Sequence, residues 1–332
     1  TSTETAAVES YSGDSFQKPD DRVVIFDVEV FPNLFVISWK FHGSSQVVSM
    51  INPTAQQVEG LFRYKLVGFN NRKYDNHILY AAYMGASNEK LYQISKKIIN
   101  NTPGATFGEA YNLSYADIYD FSSKKQGLKK FQIELGLHHQ ELGLDWDKPV
   151  PEEKWPLVVK YCENDVRTTE PVFDDRAQDF VARKILADLS GLSVNDTTAR
   201  HTAKILFGDN RRPQEEFIYT DLSEMFPGYE YKLGKSTYKG ELVGEGGLVR
   251  GKPGMYTNVA VLDVRSMHPT SIEQLEYFGP YTKNYVALMK ARLAIKDGDY
   301  ETARKMFDGK LAPYLKNEED AEKLSFALKI VI

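Results

Sequence analysis

Eight residues constrain this chain more than any others: Val23-Val24-Ile25-Phe26-Asp27-Val28-Glu29-Val30. Apart from its two acids the run is apolar and mostly β-branched, which is the signature of a strand buried on both faces. Alternate strand residues point the same way, so Asp27 and Glu29 share one side. Two carboxylates in such a setting are costly unless a cation compensates them. The tripeptide alone also fits a solvent-facing strand end. Any fold for this chain must therefore either expose that side or build a metal site on it.

The surrounding pattern predicts an α/β domain with a mixed sheet. Residues 1–20 are polar and aperiodic and read as a mobile tail. After the first strand and the Phe31-Pro32-Asn33 turn, Leu34 to Phe41 and Gln46 to Met50 continue as strands of a meander. Asn52-Pro53-Thr54 opens a helix through Arg63. Lys65 to Phe69 is a strand, Tyr74 to Tyr83 a helix, Tyr115 to Phe121 a strand, 127–136 a helix, and Pro151 to Ala187 mostly helical. The first domain spans residues 21–190. Beyond it, 191–256 is rich in Gly and Pro, Thr257 to Val264 reads as an apolar strand, and Tyr285 onward is helical to Ile332.

Two further carboxylates sit on helical spacings. In Gly68-Phe69-Asn70-Asn71-Arg72-Lys73-Tyr74-Asp75, Asn71 and Asp75 are four apart and can share a helix face. An Asn helix cap followed by a surface Asp fits the same residues. Tyr161-Cys162-Glu163-Asn164-Asp165 repeats the spacing on a later helix, and an amphipathic helix with Tyr packed inward fits it equally.

In order, Asp-x-Glu, Asn-x-x-Tyr-Asp and Tyr-x-x-x-Asp resemble the three exonuclease motifs of the DEDDy 3′→5′ exonucleases. The resemblance covers roughly residues 21–190 and implies a ribonuclease H-like fold. It implies that Asp27, Glu29, Asp75 and Asp165 ligate two divalent cations, Mg²⁺ or Mn²⁺. It makes Tyr161 the residue that orients the attacking water and Asn71 a substrate-positioning residue. Phe31, Phe69, Tyr74 and Phe121 become candidates to stack frayed bases at a single-stranded 3′ end. Lys124, Lys125, Lys129 and Lys130 read better as a solvated helix face than as phosphate contacts.

The second half resembles the bacteriophage family B DNA polymerases. Asp263-Val264-Arg265-Ser266-Met267-His268-Pro269-Thr270-Ser271 is similar to their motif A. By that resemblance Asp263 is a catalytic aspartate, Asp263 and Val264 are metal ligands, and Ser266 and Met267 approach the triphosphate. His268 stands where the family has Tyr. Gly244-Glu245-Gly246-Gly247-Leu248 resembles the family's Tyr-x-Gly-Gly link, with Gly in place of Tyr. Lys329 resembles the motif B lysine, and Arg292 is a second triphosphate contact by analogy. The expected layout is an exonuclease domain, an incomplete α+β palm over 191–280 and part of helical fingers over 281–332. The chain stops one residue before the motif B asparagine. Polymerisation then requires a C-terminal polymerase half, and dNTP binding is expected only in the completed enzyme. The DNA partner is a primer-template.

The bulk numbers permit this without demanding it. A formal net charge of −5 gives no basic surplus for phosphate, although ligand carboxylates contribute negative charge of their own. With one cysteine, Cys162, no internal disulfide forms, which fits a reducing cytoplasmic setting. No apolar run reaches the length of a membrane span. Two other functions compete with the polymerase fragment: a free-standing DEDD nuclease acting on DNA or RNA, and a non-catalytic DNA-binding half of a split polymerase.

Overall fold

The computed structural model describes residues 20–138, 140–219, 221–243 and 251–332. The expected tail up to residue 19 and the Gly244–Leu248 motif lie outside the described residues. The chain divides into two compact bodies, Thr1–Thr198 and Ala199–Ile332.

The first body is α/β. Its sheet contains β1 (Val23–Phe31), β2 (Leu34–Phe41), β3 (Val48–Ile51), β4 (Lys65–Gly68) and β5 (Ala116–Asp117), in the spatial order β3-β2-β1-β4-β5. β1 pairs antiparallel with β2 and parallel with β4, so the sheet is mixed, as expected. The helices are α1 (Ala55–Glu59), α2 (Asp75–Tyr83), α3 (Asn88–Ile99), α4 (Ile118–Phe121), α5 (Leu128–Glu134), α6 (Trp155–Asp175) and α7 (Ala177–Ser190).

β1 is central because both of its faces are covered. Val24, Phe26, Val28 and Val30 enter one core with Val58 of α1, Ile78 and Leu79 of α2 and Leu91 of α3. On the opposite side Ile25 joins Val67, Ile118, Phe131 and Val166, while Phe31 joins Leu34, Val36, Val158 and Cys162. Between Ile25 and Phe31 the period-two alternation puts Asp27 and Glu29 on that second side. α6 packs across β1 and β2 there. Lys40 of β2 pairs with Glu170 of α6, and Ser49 Oγ donates to Glu163 of α6 at 2.9 Å. These contacts fix which face of α6 looks at β1.

Several expected elements differ. The segment Tyr115 to Phe121 is not one strand. The Asp117 carboxylate accepts from the amides of Tyr119 and Asp120, capping α4 and ending β5 after two residues. α3 was not anticipated, although Ser87 caps it by accepting from the Lys90 amide.

The second body contains α8 (Thr198–Phe207, which begins at the boundary), α9 (Leu222–Met225) and an antiparallel sheet of β6 (Tyr229–Lys232), β7 (Lys235–Tyr238) and β8 (Glu241–Leu242). α10 (Met267–Gln274), α11 (Thr282–Lys296), α12 (Tyr300–Lys305) and α13 (Glu318–Val331) follow. α11 packs against α10, α12 and α13, burying Leu288, Ala291, Ile295, Leu324 and Leu328. The strand expected at Thr257 to Val264 does not form. Val259, Val261, Leu262 and Val264 are exposed. β-branched residues favour a strand only where an edge offers hydrogen bonds, and none of the described strands pairs with this segment. Among the described residues no helix is long and apolar enough to cross a membrane.

Candidate metal centre

The side of β1 that carries Asp27 and Glu29 meets α6 at Asp165. One carboxylate oxygen from each of Asp27, Glu29 and Asp165 lies within 4.8 Å of the other two, and Glu29 is buried. Such a group can hold a metal ion. All three donors are hard oxygens, the ligand set preferred by Mg²⁺ and Mn²⁺.

The electrostatics of Asp27 and Glu29 are those of acids buried close to other acids. Burial, then Glu29, Asp75 and Asp165, push the Asp27 carboxyl well above the usual range. Burial, then Asp165 and Asp75, do the same to Glu29. Asp75, the first residue of α2, is buried and pushed up to about 7, mainly by burial, while the Val28 amide opposes the shift. Its charge reaches both strand acids, so all four predicted carboxylates are electrostatically linked. Charged side chains are seldom buried in this way unless a cation or a proton shares the site.

The loop that delivers Asp75 is held from two sides. Gly68 ends β4 with so little room that an added Cβ would lie 3.0 Å from Cβ of Asn71. Any larger residue would have to push the Asn71 side chain aside. Asp117 of β5 then accepts from the amides of Asn70 and Arg72, both at 2.9 Å. The chain turns through a 3₁₀ turn, Asn71–Lys73, and Tyr74 breaks it (φ −139°, ψ −74°) before α2 starts. Asn71 and Asp75 therefore do not share one continuous helix face. Asn71 is fully buried and donates to Asn76 Oδ1 (3.0 Å) and Ser114 Oγ (2.7 Å). In this arrangement it ties the loop to the interior.

Tyr161 lies one turn before Asp165 on α6 and is half-buried. Burial first, then Asp165, Glu29 and Asp27, push its phenol upward, so it stays protonated. Cys162, between them in sequence, is buried; its thiol donates toward Asp27 Oδ2 at 3.6 Å. Of the proposed base-stacking residues, Phe31 and Phe121 are buried. Tyr74 bonds Ser95 through its hydroxyl, and Phe69 meets Tyr119 and Phe131 edge-on. Lys124 pairs with Glu134 and Lys129 with Glu141 on the surface.

Three residues near the site have no place in the motifs. Gln132 of α5 is buried and directs its amide to Asp165 Oδ1 (3.4 Å) and Thr168 (2.7 Å). Nothing in its local pattern marks it. Asp117 does carry a signal, an Asp-x-x-Asp pattern at a helix start. The third, Trp146, lies in an irregular loop.

In the second body, Asp263 and Val264 are exposed and join no metal-holding group among the described residues. Ser266 takes a left-handed conformation (φ 53°) before α10, which begins at Met267, and His268 is exposed. Arg292 lies on α11 and Lys329 on α13. No known family model, curated protein or solved structure matches the chain.

Proposed function

We propose that the first body is a two-metal 3′→5′ exonuclease of ribonuclease H-like fold that trims single-stranded 3′ ends of DNA. The observation that carries this reading is the convergence of Asp27, Glu29 and Asp165 within 4.8 Å, with Asp75 close enough to raise both strand acids. Asp27, Glu29, Asp75 and Asp165 would hold two Mg²⁺ or Mn²⁺ ions. Bound there, the metal supplies an activated water and charge neutralisation at the phosphate. The chain's own residues do the rest. The protonated Tyr161 phenol would donate a hydrogen bond and orient the attacking water. Gln132 and the Cys162 thiol hold the Asp165 and Asp27 carboxylates, so little reorganisation is needed when substrate arrives.

In this proposal the exonuclease is the proofreading part of a family B DNA polymerase acting on a primer-template. Asp263 and Val264 would serve the polymerase metals, and Ser266, Met267, His268, Arg292 and Lys329 the dNTP. A second reading, a free-standing DEDD nuclease on DNA or RNA, is favoured by one observation: Asp263 is exposed beside a segment that forms no strand.

The test is hydrolysis of single-stranded and 3′-recessed DNA in Mg²⁺ by the chain and by the Asp27→Ala/Glu29→Ala variant. The variant should lose about 10³-fold or more in rate. Equal degradation by both proteins, or by neither, overturns the exonuclease reading. Faster cleavage of RNA than of DNA favours the free-standing nuclease.

A further inference from the structure

We infer that Trp146 is the platform on which the 3′-terminal nucleobase stacks, so that the site grips a base-bearing end and discriminates against an abasic one. The inference rests on the exonuclease reading and adds a substrate-recognition residue to it.

The indole of Trp146 lies face to face with the ring of Phe31, centroids 4.7 Å apart and planes 13° from parallel. Phe31 is fully buried and stands two residues beyond Glu29 on the same side of β1. The same indole meets Tyr161 edge-on at 6.4 Å. Trp146 thus lies between Phe31, a strand neighbour of Glu29, and Tyr161, itself assigned to the chemistry. Yet it is 44% exposed. It is also the most exposed of the three tryptophans; Trp39 and Trp155 are half-buried.

The loop holding it is tied down on both sides. Asn33 exchanges two hydrogen bonds with the Val150 backbone, at 2.9 and 2.8 Å, and Trp155 Nε1 donates to Val150 O at 3.0 Å. On the other side, Asp147 accepts from the Tyr92 hydroxyl at 2.9 Å and pairs with Lys96 at 3.0 Å. An indole serving only to fill the core would be covered. One held rigid, backed by a buried ring and left open beside Tyr161 presents a pre-ordered π surface. Every nucleobase has a π face, so such a platform recognises a base without reading its identity.

The experiment measures binding, so it does not depend on turnover. The full chain is titrated in Ca²⁺ with two short single-stranded DNA oligonucleotides, identical except that one ends in an abasic 3′ nucleotide. Tryptophan emission should be quenched by the base-ended strand, which should bind on the order of tenfold or more tightly than the abasic one. Trp146→Phe should abolish the quenching but keep the preference, because a ring remains. Trp146→Ala should reduce the preference to within about twofold, with an unchanged circular dichroism spectrum. Three results overturn the platform: no quenching of the wild-type chain, quenching that survives Trp146→Phe, or a full preference in Trp146→Ala. Failure of the exonuclease reading appears separately, as equal hydrolysis by the wild-type chain and the Asp27→Ala/Glu29→Ala variant.

Discussion

The Cys162 thiol lies 3.6 Å from Oδ2 of Asp27 and 3.5 Å from the Asp27 carbonyl oxygen. The one cysteine of the chain therefore touches a residue of the carboxylate cluster. Burial, reinforced by Asp27 and Glu29, raises its pKa well above that of a free thiol. Reactive thiols need thiolate character and access, and Cys162 has neither. A thiol-specific reagent at pH 8 should leave the native protein unlabelled, and labelling should follow unfolding by denaturant. Rapid stoichiometric labelling of folded protein would contradict the described burial.

The carboxylate cluster sets a pH dependence whose sign is fixed. Asp75 is raised to about 7 from an ordinary value of 3.8, and Asp27 and Glu29 are raised as well. The metal-free folded state therefore binds protons more tightly than the unfolded chain. Its contribution to stability is full below the unfolded carboxylate range and is lost as pH rises toward 7. Metal-free protein should show a falling melting temperature over that window. Mg²⁺ or Mn²⁺ should raise the melting temperature at pH 8 and have little effect at pH 5, where protons occupy the same oxygens. Differential scanning calorimetry in chelator and in metal checks both halves.

Neutralising one acid should exchange activity for stability. Asp27→Asn keeps the side-chain shape and removes one of the like charges. In chelator at pH 7.5 the variant should melt higher than the wild-type chain. Its metal-induced rise in melting temperature should shrink, and its hydrolysis should fall by about 10²-fold or more. A variant that melts lower in chelator would show that the acids do not strain the metal-free fold.

The β4–α2 connection is the most sensitive backbone near the site. A methyl group at residue 68 would meet the fully buried Asn71. Gly68→Ala should cost about 1–3 kcal/mol in urea unfolding, the usual penalty for overpacking. Because Asp75 follows on the same loop, hydrolysis should fall further than the loss of stability explains at temperatures where the fold is intact.

Asp117 should matter through the backbone that it holds beside Asp75. Its carboxylate accepts from the amides of Asn70, Arg72, Tyr119 and Asp120. Asp117→Ala leaves those donors without their acceptor, and buried unmet donors cost about 1–3 kcal/mol each before water relieves them. A clear drop in the urea midpoint, together with weaker metal binding in calorimetry, is the expected outcome.

The legible parts of the fold were those governed by a repeating period. β1 announced itself as an apolar, β-branched run, and the shared side of Asp27 and Glu29 followed from the two-residue period of a strand. α11, α12 and α13 were visible in helical spacing. The failures lie where one contact overrides a run of propensity. Val259 to Val264 has strand-forming residues but no strand to pair with. The strand at residue 116 is cut short because the Asp117 side chain takes over backbone donors. The meeting of Asp165 with Asp27 and Glu29 was expected only through the motif resemblance; the burial of Asn71 and the stacking of Trp146 on Phe31 join residues far apart in sequence. No local pattern encodes such meetings.

The two-sided burial of β1 also bears on how the chain finds its fold. Slipping the strand by one residue would turn Asp27 and Glu29 into the apolar core shared with α1, α2 and α3, away from Asp165 of α6 and from any cation the three could share. Two carboxylates buried among apolar side chains would cost several kcal/mol each. The residues that give the strand its chemistry thus also proofread its alignment, penalising the misregistered sheet before any substrate is met.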